Sequence, residues 1–386
     1  MPADPTPLSA PGTSPRQDEP RSGSPSTARD PFFDNTKILT LVLVVSGHFW
    51  EPLVQHPGHR FIHAAYLLVY TFHMPVFVFI SGNFSRSFTA QPRQLRRLLT
   101  GVLIPYLVWS TLLDLFTNWA LHTHTPVNPL VPTWVTWFLL SLFLWRLTAP
   151  LWKIIKAPVP IAVAISVASG AFPVGYELSI ARTLQFLPFF VAGMTVRPEH
   201  IARLKDTRAL SVATLPVFAT VAAVCYWAVP HAPIGWFYRS GSAAGLHAGF
   251  ARWAAESIAI NLGGAVLGVL FLAVIPRQRS WITALGTASM CGFLLHPFIQ
   301  RTLIHEGVYT SAFTGSAIGL TLLTALAITV ALALCTPVVA KTIRPLVEPS
   351  LRWLFRDTPP EAHTGSIDTT DVDSTTRPPP SWRPPL

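Results

Sequence analysis

Residues 38–53 read ILTLVLVVSGHFWEPL, an apolar run with His48 set inside it. An ionisable group at that depth of a membrane-crossing helix is expensive, and such groups mark functional sites by default. The next apolar run, residues 62–84, holds a second one, His73, within TFHMPVFVFISG at residues 71–82. Both runs approach or exceed the roughly 20 residues that a helix needs to cross a bilayer.

The rest of the chain repeats the pattern. Half of its 386 residues are apolar and only 12% are charged, about half of the ~25% usual in a soluble domain. Little of the surface can therefore face water. Apolar runs at 38–54, 62–84, 98–120, 131–149, 158–174, 180–196, 209–229, 252–275, 281–300 and 314–340 predict an all-α, polytopic membrane protein with about ten transmembrane helices. The fifth and sixth runs are short and carry Pro or Gly. Pro75, Pro105 and Pro188 lie inside spans, where neighbouring helices can re-satisfy the carbonyl that a proline frees. The apolar–polar alternation of an outer-membrane barrel is absent.

Two tails bracket this body. Residues 1–30 are rich in Pro and Ser, residues 357–386 in Pro and Thr, and residues 31–345 form the transmembrane domain. Neither tail can bury an apolar core, so both are expected to be disordered. The first thirty residues lack the apolar core of a secretory signal, so the first membrane helix is expected to stay as an anchor. Cys225, Cys291 and Cys335 all fall in apolar segments with no paired spacing, which argues against a disulfide framework and a zinc site.

Charge sets the orientation. With ten spans, all but five of the 28 Lys and Arg residues fall on the side of the two termini. The five exceptions are Arg60, Arg182, Arg239, Arg252 and Arg301. That bias predicts a multi-pass protein of the cell membrane with N- and C-termini cytoplasmic. It also accounts for most of the net charge of +10, so no nucleic-acid partner is implied; the lipid bilayer is the expected surrounding.

The two histidines are linked by geometry. His48 lies ten residues from Ile38, about 15 Å along a helix, and His73 lies eleven residues from Phe84, about 16 Å. They should sit at matching depth on antiparallel neighbours. Lys37, nearly three helical turns before His48, shares its face at the cytoplasmic mouth. Arg86, Arg93, Arg96 and Arg97 add cations on that side. The layout suits a substrate whose anionic groups stay in the cytoplasm while a reactive end reaches into the membrane, with phosphates as natural partners. Either histidine alone also fits a simple interhelical hydrogen bond, and the arginines also fit a purely topological role. On the outer side Asp114, Trp134, Trp137, His296 and the 230–251 loop, with Trp236, Tyr238 and His247, are candidates for contact with an acceptor. Aromatic residues there fit an interfacial belt equally. His122 and His124 are too few for a metal site, and none is assigned. G-x-S-x-G, Walker A, H-E-x-x-H and G-x-G-x-x-G are all missing, which argues against a hydrolase elbow, an ATP-driven pump and a zinc protease.

RDPFFDNTKILTLVLVVSGH at residues 29–48 resembles the opening of the membrane acyltransferase-3 family, in particular its fucose-4-O-acetylase-like branch. The resemblance continues in order through TFHMPVFVFISG, RRLLTGVLIPYLVW, TWFLLSLFLWRL, RTLQFLPFFVAGM and ALGTASMCGFLLHPFI, and covers residues 29–340. It implies an O-acyltransferase that takes an acyl group, usually acetyl, from cytoplasmic acyl-CoA to a hydroxyl of a sugar, an exported glycan or a natural product. Acyl-CoA (acetyl-CoA) would be a co-substrate, with no bound cofactor. Family members often carry a basic residue separated by ten residues from the essential histidine. Lys37 and His48 keep that spacing, with Lys where Arg is commoner. On this reading Lys37, Arg86, Arg93, Arg96 and Arg97 hold the donor. His48 deprotonates the acceptor or carries the acyl group, and His73 orients His48 or bonds the thioester carbonyl. A secondary transporter, or a flippase-like protein of glycan export, is the alternative. It would also use buried histidines, but would show related halves, and no internal repeat is visible.

Overall fold

Helix α1, Pro31–Trp50, begins where the Asp30 carboxylate accepts the Phe32 N–H at 2.9 Å and Pro31 occupies the first helical turn. Its Ile38, Leu41, Val45 and Phe49 are fully buried. So are Asn35, Thr36 and Thr40, which makes α1 a central column with no solvent or lipid face along most of its length. The computed structural model describes residues 30–54, 58–173, 176–310, 312–349 and 351–355; the two tails, apart from Asp30, fall outside these residues.

Around α1 stand α2 (Arg60–Phe84), α13 (Trp281–Gly286), α14 (Ser289–His305) and α15 (Ala317–Leu334). The helix α3 (Pro92–Leu98) continues through a π-turn, Leu99–Leu103, into α4 (Ile104–Ala120), and α5 (Trp137–Ile154) follows. Next come α6 (Pro158–Ala168), α7 (Ile180–Gln185) and α8 (Leu187–Thr195), then α9 (Pro198–Asp206), α10 (Arg208–Ala228), α11 (Gly235–Tyr238) and α12 (Phe250–Val274). The short α16, Pro337–Val347, packs on α4, α14 and α15. No strand occurs among the described residues. Past Ser350, a separate unit contributes one 3-10 turn, Arg352–Leu354.

Among the described residues six stretches are long and apolar enough to cross a membrane: Arg60–Phe84, Pro92–Ala120, Trp134–Ile154, Arg208–Ala228, Phe250–Val274 and Ala317–Leu334. The α7–α8 region would make a seventh, bent by 58°. The remaining runs of the sequence count fall short for visible reasons. Helix α1 spends Asp34, Asn35, Lys37 and His48 within its 20 residues, α6 has 11 residues and α14 has 17. One side of α10 packs on α2 and α12, while its apolar residues on the other side are exposed, Leu215 at 79% and Val212 at 68%. Lipid is the solvent that such a face requires.

The bundle has two distinct ends. At one, Asn35 Nδ2 donates to the carbonyls of Pro276 (2.8 Å) and Gln278 (3.1 Å), Thr283 Oγ1 donates to Asn35 Oδ1, and Arg277 pairs with Asp206 at 2.9 Å. Arg146 and Lys153 of α5 reach the turn after α2 there, on Ser85 and the Phe88 carbonyl. The loops 121–136, 176–179 and 229–249 lie at the other.

Helices α2 and α8 cross in backbone contact. A Cβ on Gly82 would lie 2.0 Å from the Phe190 carbonyl oxygen, and one on Gly193 would lie 1.9 Å from that of Phe79. Small residues at both positions let the two helices approach this closely, which is how membrane helices gain packing energy without a hydrophobic drive. The crossing fixes α8, and with it the broken segment before it, against the helix that carries His73.

Candidate active site

His48 sits in the last turn of α1, one residue after Gly47. A Cβ on Gly47 would meet the Tyr70 ring at 3.0 Å, so the glycine lets Tyr70 of α2 lie against this turn. The helix then passes into a 3-10 turn, Glu51–Leu53, which brings Glu51 back under His48. His48 Nδ1 lies 3.2 Å from Glu51 Oε2 and 3.4 Å from the Tyr70 hydroxyl. The same Glu51 oxygen accepts Trp134 Nε1–H at 3.2 Å. The carboxylate can only accept, so Nδ1 carries a proton, and in the neutral ring Nε2 then keeps its lone pair. A carboxylate on one nitrogen and a free lone pair on the other is the arrangement of a general base held in its working tautomer.

Two further histidines flank it. His296 of α14 stacks on His48, with ring centroids 5.4 Å apart and planes 27° from parallel. His73 reaches His48 through Tyr70, whose ring lies 4.7 Å from that of His73. Each is locked by its own helix. His73 Nδ1 lies 2.6 Å from the Val69 carbonyl and His296 Nδ1 lies 3.0 Å from that of Gly292. A carbonyl only accepts, so both rings carry a proton on Nδ1. His296 Nε2 is buried without a hydrogen-bond partner among the described residues.

His48, Glu51, Tyr70 and His73 line a cavity of about 270 Å³ with Trp134, Trp137, Arg182, Phe186 and Tyr238. Arg182 of α7 lies over the Trp137 ring at 5.2 Å and that of Tyr176 at 5.7 Å, and its Nε donates to the Tyr238 carbonyl at 3.2 Å. Burial pushes the Tyr238 hydroxyl up to about 12 and the neighbouring Arg239 guanidinium down to about 10. The cavity is built on strained backbone: Trp134 (φ +44°), Leu178 (+52°), Ser179 (+53°) and Arg239 (+54°) are all left-handed without being glycine. Each such residue costs about 1–3 kcal/mol and persists only where its surroundings over-determine it. Here the restraints are visible. Leu178 N–H donates to the Leu130 carbonyl at 2.6 Å, Tyr106 donates to that of Pro129, and Thr133 bonds the Asp114 carboxylate.

The sequence candidates thus divide. His48, His73 and Trp137 line the cavity, and His296 backs it through His48. Asp114 does not line it; it clamps the loop that carries Trp134. Lys37 stands at the opposite end, about 16 Å from His48 along α1. There it pairs with Asp34 at 2.6 Å and lies 5.5 Å from the Phe84 ring. Arg86, next to Asn83 Oδ1 at 3.3 Å, and Arg93, Arg96 and Arg97 in α3 belong to that end too. Glu51, Tyr70 and Arg182 were missed as site residues. The signal for Glu51 was its i+3 spacing from His48, which stacks two side chains on one helical face. Tyr70 likewise stands three residues before His73. Nothing local marks Arg182, whose place depends on the α7–α8 break.

Among the described residues no group of three or more His, Cys, Asp or Glu side chains could hold a metal ion. The three cysteines are free and buried. Residues 30–338 match the family described as an acyltransferase domain, acyltransferase-3. No curated protein and no solved structure matches the chain. The match takes in every helix from α1 to the start of α16, and with it the whole cavity, so the chain belongs to the acyltransferase-3 family of membrane acyltransferases.

Proposed function

We propose that this protein transfers an acyl group, acetyl by the resemblance of its sequence to fucose-4-O-acetylases, from cytoplasmic acyl-CoA to the hydroxyl of a sugar, exported glycan or natural product. Ten spans with both termini cytoplasmic are part of the proposal: α1, α6, the α7–α8 pair and α13–α14 join the six long apolar helices. The charge bias of the loops supports it.

The observation that carries the reading is the His48–Glu51 pair facing a cavity in an acyltransferase fold. The donor's phosphates are held at the Lys37 end by Arg86, Arg93, Arg96 and Arg97, with Lys37 exchanging Asp34 for phosphate. The thioester reaches His48 from that side and the acceptor enters from the cavity. His48 Nε2 takes the proton of the acceptor hydroxyl as its oxygen attacks the thioester carbonyl. The C–O bond forms, the C–S bond breaks, and the proton passes from Nε2 to the departing CoA thiolate. Glu51 holds the imidazolium in between. Because the His73 Nδ1 proton is committed to Val69, His73 serves as an acceptor of a substrate hydroxyl, not as a donor to the thioester carbonyl.

The test uses membranes containing the protein, labelled acetyl-CoA and a panel of sugars. Label bound through an ester to a sugar hydroxyl, absent from control membranes, is the expected result. Uptake of unmodified sugar with no ester formed would replace the proposal with transport.

A further inference from the structure

Five cations belong to the cavity end of the bundle, and they are not alike. Arg60 is exposed and donates to the Tyr226 carbonyl at 2.9 Å, and Arg252 faces outward beside Glu256 at 4.0 Å. Arg182, Arg239 and Arg301 turn inward. None of these three has a carboxylate within 4.0 Å among the described residues. Arg239 is 4% exposed and is answered only by the neutral Asn261 side chain and the Phe186 ring. Arg301 lies over the Trp134 ring at 4.2 Å, with its Nε buried and unpartnered. Arg182 uses Nε on the Tyr238 carbonyl, and its two terminal nitrogens have no hydrogen-bond partner among the described residues.

Charge in the cavity is therefore unbalanced. Glu51 is the only carboxylate in its lining among the described residues, and it lies within electrostatic reach of both Arg182 and Arg301. Two guanidinium groups, Arg182 in the lining and Arg301 over the Trp134 ring, stand against that one carboxylate, an excess of one positive charge around the cavity. Withdrawing a guanidinium from water without a counter-ion costs several kcal/mol. The backbone strain at Leu178 and Ser179, immediately before α7, adds to the cost of putting Arg182 there. A ligand that brings one negative charge offsets both, and a guanidinium with two free terminal nitrogens suits a planar or tetrahedral oxyanion.

The geometry points to an acceptor substrate that carries an anionic group, a carboxylate or a phosphate, received by Arg182 while the reacting hydroxyl lies at His48. The inference rests on the acyl-transfer reading for the word acceptor, but the anion site itself does not. The cavity, at about 270 Å³, exceeds the ~150 Å³ void that accommodates benzene, so one substituted sugar ring fits. The donor's own phosphates do not fill the role, because their cations stand at the other end of α1.

The test is binding, measured without turnover by quenching of tryptophan fluorescence, since Trp134 and Trp137 line the cavity. The full-length protein in detergent is titrated with methyl glucoside, glucuronate and glucose 1-phosphate. One anionic probe is expected to bind at least about tenfold more tightly than the glucoside, and which one does so separates carboxylate from phosphate. Arg182→Gln should erase the preference, Arg182→Lys should keep most of it, and the surface variant Arg252→Gln should not change it. Raising the salt should weaken the anionic probe alone, a readout on wild type that needs no variant to fold. Equal binding of the three probes, no anionic binding, or a preference that survives Arg182→Gln would overturn the inference. Acetyl-CoA consumption is followed in parallel. Anion binding that depends on Arg182, with no CoA release, would leave the site standing and remove the acyltransferase reading instead.

Discussion

Replacing Glu51 with Gln keeps the shape of the side chain and removes its charge. The His48 Nδ1–Glu51 Oε2 separation is 3.2 Å, and the two side chains are 13% and 29% exposed. At an effective dielectric of about 20, unit charges about 4 Å apart attract by about 4 kcal/mol. Glu51 also accepts from Trp134 and meets some solvent, so about 2–3 kcal/mol of that attraction remains for an imidazolium forming on His48. This charge pair exists only when His48 has taken the proton, so its loss falls on the barrier and not on binding. At 1.36 kcal/mol per tenfold, kcat should drop about 30- to 160-fold. KM for the acceptor should not rise, because Glu51 opposes the excess positive charge of the cavity. Steady-state kinetics with labelled acetyl-CoA gives both constants, and the melting temperature reports whether the fold survives. A kcat within about threefold of wild type would refute the pairing of Glu51 with His48 as the source of general-base power.

Other substitutions probe the frame. Gly193→Ala forces a Cβ to within 1.9 Å of the Phe79 carbonyl oxygen. Because backbone cannot rotate away, the cost should reach about 3 kcal/mol, the top of the overpacking range; an unchanged melting temperature in detergent would mean that α2 and α8 do not touch there. Asp114→Asn weakens the bond from Thr133 by about 1–2 kcal/mol, so acceptor KM should rise several-fold with kcat nearly kept. A collapse of kcat instead would put Asp114 in the chemistry. Lys37→Ala should raise KM for acetyl-CoA roughly tenfold, the worth of one charge-assisted phosphate contact, and the effect should shrink at high salt. An unchanged KM would show that Lys37 stays with Asp34.

Much of this architecture is legible in the chain because it depends on local rules. Helical rise alone sets His48 and His73 at one depth, and the structure has both lining one cavity. What is not legible is set by tertiary contact. His296 announces itself only as an HP pair, yet it stacks on His48 from a distant helix. The loop 121–136 shows no pattern that says Thr133 will meet Asp114 and turn Trp134 toward Glu51. Proline is ambiguous in the same way. Pro75 sits inside an unbroken α2, whereas Pro188 falls in the first turn of α8, where its missing N–H costs nothing, and the chain bends just before it. Glu51 was within reach of sequence reasoning, since i+3 spacing puts it under His48. It lies at the end of an apolar run, where a carboxylate reads as the edge of the membrane.

The proposed function makes His48 the base for acyl transfer. Its most direct test compares CoA release from labelled acetyl-CoA by purified wild type and by His48→Ala, in the presence of an accepted sugar. Steady release by wild type, and none above background by the variant at equal melting temperature, is the expected result. Equal release by both proteins would contradict it.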